Sequence, residues 1–596
     1  MKTVTTTDPQ KKQVQTNNRS SITDTINSGE NEHPTLDRHP PWTALFALLS
    51  GTFAVVLSLS FLFSATPLIM QDFGVSIEMA AWLSLSYALG ATVFEPMFGR
   101  LGDIHGRKRN VLLGLTTFSV GAIIAAVSPQ FWVMVAARFV QGLGAAAVIP
   151  VGMAFVGENF PLKVRGRALG LWSMTNAAAP AIGPALGGIL IDLYAWRAIY
   201  WFSLALGLVG IVMVAVFVPE TRRIRKEPFD YAGSAALFVA VGSLIVLLTQ
   251  GRSWGWISLN TLLFATSAII GGLAFVLLER RAAYPLVDLH FLKSRVFLIP
   301  ALVVFLSFFI FQGSFFMLPF FLEQVQGYNA AIVGSMAVPL FVALAVSSFF
   351  GGSLSDRFRV KYIVVAGAVL TVIPIYLFTE LTMDAPYWYI LVIMAFLGLG
   401  IGITLPPLSR SVIGMVKPQK MGVVSGIFNM FRNLGGPVGI GVAATLFANQ
   451  VITRAKDAFI TKATQLGVPA TILEALGKIQ QGGQIDPSLA AQLKAWSPQL
   501  AELEQYARMQ GMTSAMADVA WVLLGVGLFA LLVTLILPNL SPPTRDPRKT
   551  QTLYAEPKRI TEDKGSVKSE NKEEDNLPNT TNAKDKQVDE SKAASG

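Results

Sequence analysis

Fourteen runs of about twenty mostly apolar residues punctuate this chain, and their length constrains its fold more than any single motif. Twenty residues of helix rise about 30 Å, the thickness of a bilayer's hydrocarbon core. The runs fall at roughly residues 43–63, 78–99, 110–127, 131–155, 166–191, 197–218, 231–249, 259–278, 297–320, 331–353, 361–380, 387–409, 421–446 and 517–537. Hydrocarbon offers the backbone no hydrogen-bonding partner, so each run is expected to be a helix. The expected fold class is an all-α integral membrane protein with 14 transmembrane helices and the lipid bilayer as its surroundings. Composition weighs against a soluble alternative: 52% of the 596 residues are hydrophobic and 14% are charged, against about 25% charged in a soluble protein.

The formal net charge is +10, and its placement gives orientation. Loops leading from even to odd runs carry Arg107, Lys108 and Arg109; Lys163, Arg165 and Arg167; and Arg222, Arg223, Arg225 and Lys226. Further along come Arg280, Arg281, Lys293 and Arg295, then Arg357, Arg359 and Lys361, then Lys417 and Lys420. The short loops of the other set hold little more than Arg197 and Arg252. Basic loops stay in the cytoplasm, so both termini are expected there. The same rule accounts for the basic balance without a nucleic-acid partner. There are no cysteines, and His33, His39, His105 and His290 lack metal-ligand spacing; no metal and no cofactor are expected. A phosphate-cradling loop and a catalytic triad are both missing, so the chain does not read as an enzyme. Residues 1–40 are polar, with no apolar core for a cleavable signal peptide.

Shifting the chain by 253 residues lays Gly99, Leu101 and Asp103 on Gly352, Leu354 and Asp356. The same shift lays Asn176, Gly183, Pro184 and Gly188 on Asn429, Gly436, Pro437 and Gly441. One register shared by Asp, Asn, Gly and Pro implies two related six-helix halves, residues 42–220 and 296–540. Two inserted helices with their linkers occupy 221–295. Many secondary transporters are built from repeats, with a substrate site between them. Residues 1–41 and 541–596 read as disordered tails. Residues 447–516 are expected outside the bilayer on the outer face, with helix-like stretches at 470–479, 488–495 and 497–509 separated by breaks such as Gln481-Gly482-Gly483.

Three segments carry mechanism. The loop after the second run reads Gly99-Arg100-Leu101-Gly102-Asp103-Ile104-His105-Gly106-Arg107-Lys108-Arg109, repeated in shorter form as Gly352-Ser353-Leu354-Ser355-Asp356-Arg357. Its glycines permit a tight turn, and its acid can cap a helix or pair with a cation. The fourth run contains Arg138, with Gln141 one turn on. Arg at a helix centre costs ~2.5–3.5 kcal/mol on insertion scales, so it faces a partner or wet space, or snorkels to the interface. The fifth run reads Asn176-Ala177-Ala178-Ala179-Pro180-Ala181-Ile182-Gly183-Pro184-Ala185-Leu186-Gly187-Gly188. Its small residues allow close helix packing, and Pro184 is expected to kink the helix.

The first segment resembles the signature loop of the major facilitator superfamily. That resemblance implies a latch closing the two halves, with Asp103 as its acid and Gly99, Gly106 and Arg107 shaping the turn; Gly352, Asp356 and Arg357 are the second copy. The Arg138 segment resembles the family's fourth-helix motif, whose Arg is implicated in proton coupling. Gly183-Pro184 followed by Gly187-Gly188 resembles its antiporter motif. The fourteen-run count, Trp196-Arg197-Ala198-Ile199-Tyr200-Trp201, and Arg281…Pro285-Leu286-Val287-Asp288-Leu289 look like the fourteen-helix drug:proton antiporter branch. The implied function is a proton-coupled exporter of hydrophobic or amphipathic small molecules in a bacterial inner membrane, multidrug efflux type, with protons and a small-molecule substrate as partners.

The chain departs from that branch in its first run. Ser58 stands where an Asp is usual, and Phe63 where an Asn is. Proton coupling is thereby moved elsewhere. Glu95, beside Pro96, is one candidate, unless it reaches the interface or a loop Arg. Asp192 is another, unless it pairs with Arg197. Ser58, Gln141, Asn176, Gln312, Asn429 and Arg432 are candidates for a cavity wall, with Phe308, Phe309, Phe311, Phe315 and Phe316 beside them or, alternatively, in core or lipid. A dedicated exporter of a native lipid or siderophore-like metabolite, working with a periplasmic adaptor protein, is the alternative function. A nutrient importer is a further one, against the antiporter motif.

Overall fold

The computed structural model describes residues 41–220, 228–328, 330–469, 471–472 and 487–538. Among the described residues, fourteen long helices follow in order, and each coincides with one apolar run. α1 is Trp42–Ser60, continued after Phe61 by Leu62–Phe73; α2 is Ile77–His105; α3, Arg107–Ala126; α4, Phe131–Asn159; and α5, Leu162–Tyr194. α6 is Ala198–Phe217; α7, Tyr231–Trp254; α8, Leu259–Arg281; α9, Arg295–Phe320; and α10, Ala337–Ser355. α11 is Val360–Thr379; α12, Tyr387–Gly414; α13, Met421–Gln465; and α14, Pro487–Leu535. Thirteen are long and apolar enough to cross a membrane, and α2, which carries Glu95, Arg100 and Asp103, completes the set. The protein is a multi-pass, all-helical membrane protein.

Helix contacts follow small residues and apolar stripes. α2 packs on α4 and α13, α5 on α10, α9 on α13, and α12 on α10 and α11. α14 lies against α11 and α13. α7 touches α2 and α13, whereas α8 packs mainly on α7 and buries little more than Thr261, Gly271, Phe275 and Glu279. Leu262, Ile269, Leu273 and Leu277 of α8 stay exposed, as befits a lipid-facing helix.

The segment expected to lie outside the membrane is more regular than its sequence suggested. α13 runs on past residue 446 to Gln465, about five further turns or some 28 Å. The stretches expected at 488–495 and 497–509 fuse with the last span into α14. The two extensions support each other. Arg454 donates twice to Asp518, at 2.7 Å each. Gly511 lets the chain approach Ala455, and Ala463, Val468, Ile472 and Leu503 form a small apolar cluster. Local propensity alone would not carry helix this far; the partner helix does. The Gly482–Gly483 break and both tails lie outside the described residues, as do Arg222, Arg223, Arg225 and Lys226.

Candidate functional site

Two carboxylates stitch the first six helices to the last six at the face that carries the basic loops. α13 begins at Met421 with no capping side chain of its own. Asp103 of α2 fills that role from a distance, accepting from the Gly422 and Val423 N–H groups at 3.0 Å each. These are the second and third N–H groups of the helix, which a cap normally satisfies, and the positive end of the helix dipole favours the charge. Arg107 steadies the carboxylate at 3.3 Å and also donates to Pro418 O at 2.8 Å, Ala154 O at 3.0 Å and Glu158. A Cβ on Gly99 would run into the Gly422 carbonyl, so the backbones touch there. Gly106, at φ +103°, makes the turn into α3 in a region that L side chains rarely adopt.

The second copy repeats the device. Asp356, just past α10, accepts from the Gly166 and Arg167 N–H groups of α5 at 2.8 and 2.9 Å. Gly352 lies against the backbone of Gly166 and Gly170. The 253-residue shift would carry Gly166 to Gln419, so the two captures are related but about one turn out of register. Burial pushes the Asp356 carboxyl above its ordinary value, against the lowering effect of the Arg167 N–H, of Arg410 and of the Gly166 N–H. Its cation is Arg410 of α12, at 3.5 Å, while Arg357 is exposed. Arg410 is absent from the sequence candidates, although an Arg inside an apolar run was the signal there to see.

Deeper in the membrane, Glu95 of α2 is fully buried. It reaches neither the interface nor a loop Arg. Asn433 of α13 donates to its two oxygens at 3.2 and 3.3 Å, and Arg432 lies within electrostatic reach. Arg432 in turn sits between the rings of Trp172 in α5 and Phe308 in α9, at 5.8 and 5.6 Å. Asn433 and Trp172 are the residues that sequence reasoning missed, because a lone Asn beside an Arg and a Trp in an apolar helix carry no pattern. Asn176 and Asn429, matched by the repeat, each donate back to the carbonyl four residues earlier, Trp172 at 2.8 Å and Ser425 at 2.9 Å. Gln312 is half-buried against Gly436. Of the aromatic run, Phe308 reaches this cluster, whereas Phe311 and Phe315 stack with Phe341 and Phe316 with Phe320.

Arg138 and Gln141 are buried within the first six helices. Arg138 Nη1 donates to Gln141 Oε1 at 2.9 Å and faces the Ser58 carbonyl and hydroxyl at 3.4 Å each. It does not snorkel. α5 runs unbroken through Pro180 and Pro184, with Ser60 and Ser64 of α1 donating to Ala179 O at 3.4 Å and Pro184 O at 2.9 Å. A Cβ on Gly183 would strike Ser60, one on Gly187 would meet Phe61 at 3.1 Å, and Gly188 faces open space. Asp192 is exposed at the far end of α5; Arg197 pairs instead with Asp72, at 2.9 Å.

A sequence profile described as Major Facilitator Superfamily matches residues 48–440, and the chain belongs to that family. It is 31% identical over 412 residues to the multidrug resistance protein Stp of Mycobacterium tuberculosis, covering 68% of this chain and 76% of that one. The tetracenomycin C resistance and export protein of Streptomyces glaucescens is 28% identical over 438 residues, covering 72% and 80%. Among solved structures, the proton:xylose symporter XylE superposes with a TM-score of 0.57 at 12% identity, covering 86% of this chain and 99% of that one, a likeness of fold.

Proposed function

We propose that the protein is a proton-coupled exporter of hydrophobic or amphipathic small molecules, a multidrug-type antiporter working by alternating access. The observation that carries the reading is Glu95, a carboxylate buried in the membrane and held by Asn433 from the opposite set of helices. A proton arriving there discharges a buried group on the boundary between the parts that must separate, which ties protonation to the arrangement that is populated. In this reading, residues 42–220 and 296–540 are two related halves, with α7 and α8 inserted between them. The basic face is cytoplasmic, with both termini there, and the membrane is a bacterial inner membrane. Asp103 and Asp356 then hold the cytoplasmic side closed. The names of the multidrug-resistance and antibiotic-export relatives support the substrate class.

The test is efflux of a cationic dye and of a neutral hydrophobic dye from cells making wild type, Glu95→Gln or Arg138→Ala. Export of either dye by wild type, its loss with an uncoupler and its failure in both variants at normal expression are expected. If wild type moves neither dye, multidrug export is wrong for those substrates. One observation favours the second reading, a dedicated exporter of a lipid or siderophore-like metabolite served by a periplasmic adaptor: the paired extensions of α13 and α14 offer a rigid surface beyond the membrane on the face opposite the basic loops.

A further inference from the structure

Arg138 is wholly buried in a helix that crosses the membrane, and among the described residues no carboxylate pairs with it. Its neighbours are neutral. Nη1 meets Gln141 Oε1 at 2.9 Å and Ser58 O and Oγ at 3.4 Å; Nε faces Leu83 O at 3.5 Å. The Tyr87 ring lies 4.6 Å from the guanidinium carbon, and the Tyr87 hydroxyl is already committed to Val55 O at 2.7 Å. These dipoles solvate the cation without cancelling its charge. The nearest acid deeper on α2, Glu95, is engaged with Asn433.

Donors here outnumber acceptors. Gln141 must turn its amide oxygen to Nη1, so its NH2 group points onward. That NH2 group, Arg138 Nη2 and the Tyr200 hydroxyl are all buried without a hydrogen-bond partner. Tyr200, at the start of α6, lies within electrostatic reach of Arg138. Buried donors around an uncancelled cation call for a ligand that brings both lone pairs and negative charge. A cation is repelled, and an apolar group leaves every donor unmet.

We propose that Arg138, Gln141 and Tyr200 form a binding site for one small anion, either an inorganic halide or the carboxylate of an organic molecule. The proposal concerns the counter-ion of Arg138 and goes beyond the transport reading; its test needs no transport. Purified full-length protein is unfolded thermally in methanesulfonate buffer at constant ionic strength, with chloride or bromide replacing methanesulfonate. A saturable rise in Tm is expected, about 1 °C at about tenfold excess over Kd. Ser58→Asp sets a carboxylate beside Nη1, and is expected to raise the halide-free Tm and abolish the halide response. Ser58→Asn, similar in size but neutral, keeps it. If Ser58→Asp does not fold, Gln141→Glu supplies the same charge from α4.

A second arm compares 1-naphthoate with its neutral methyl ester. A rise with naphthoate alone, cancelled by Ser58→Asp and absent with halides, assigns the anion to an organic carboxylate. The proposal is overturned if neither class of anion shifts the wild-type Tm. It is equally overturned if the Asp and Asn variants both respond as wild type does, since dipoles and water alone would then satisfy Arg138.

Discussion

Asp103 caps α13 from another helix, and Asp356 reaches two N–H groups of α5 one turn inside its start. Each carboxylate holds a pair of backbone N–H groups across the boundary between the first and last six helices. Hydrogen bonds to a charged acceptor contribute about 1.5–3 kcal/mol each, so losing one such pair outweighs a factor of ten in an opening equilibrium. Ser425, fully buried on α13 beside this contact, reports on opening when replaced by Cys, and the chain has no other cysteine. In that background, Asp103→Ala, which removes both acceptor oxygens and not only their charge, is expected to speed maleimide labelling at least about tenfold; unchanged labelling would falsify the gating role. Burial raises the Asp356 pKa in the closed arrangement, while a solvated carboxyl in the open one keeps its ordinary value. The closed form therefore binds the proton more tightly, and acidification favours closure. Labelling should slow as pH falls toward the carboxylate range, and Asp356→Asn should flatten part of that dependence. The role of Asp103 was visible in sequence as an acid in a Gly-rich turn. Its partners were not, because Gly422 and Val423 contribute only backbone N–H groups, which every residue but Pro has.

At the scale of the element, α5 shows how one motif divides its labour. Gly183 is fitted closely against Ser60, and Gly188 against nothing, although the two read alike in sequence. Adding one methyl group to a filled interface costs about 1–3 kcal/mol. Gly183→Ala is expected to lower the Tm of the purified protein by about 1–2 °C, whereas Gly188→Ala leaves it unchanged; equal effects would contradict the packing. α5 runs unbroken through its two prolines, and hydroxyls from α1 bond to the Ala179 and Pro184 carbonyls beside them; the carbonyls that the prolines themselves free are those of Asn176 and Pro180. The α1 serines that meet α5 lie some 120 residues away in sequence, so no local pattern announces them. α2 divides its faces differently. Phe94, Met97, Phe98 and Leu101 line an apolar cleft of about 410 Å³ with α7, while Glu95, Gly99 and Asp103 meet α13.

Among the described residues, basic loops gather at one face and the α13–α14 extensions stand at the other. The proposed orientation makes a direct prediction. A Cys at exposed Ile452 should react with an impermeant maleimide in intact cells. A Cys at exposed Phe358 should react only after permeabilisation, and the reverse pattern would invert the topology. The bidentate Arg454–Asp518 pair is partly exposed, so it orients the extensions more than it stabilises them.

The sequence by itself determined the class of fold, the number of crossings and the two Gly-rich acid turns. All of these are local: a run long enough for the bilayer, a charge too costly to translocate, a residue type that a turn requires. Only the tertiary structure decided which groups meet. It gave Glu95 to Asn433, Asp356 to Arg410 in place of Arg357, and Arg197 to Asp72 in place of Asp192. It also left Arg138 among neutral groups. Apolar runs fix that a helix forms, but rotation and register come from packing against neighbours far along the chain, so a polar residue's partner is set by distances the sequence does not contain.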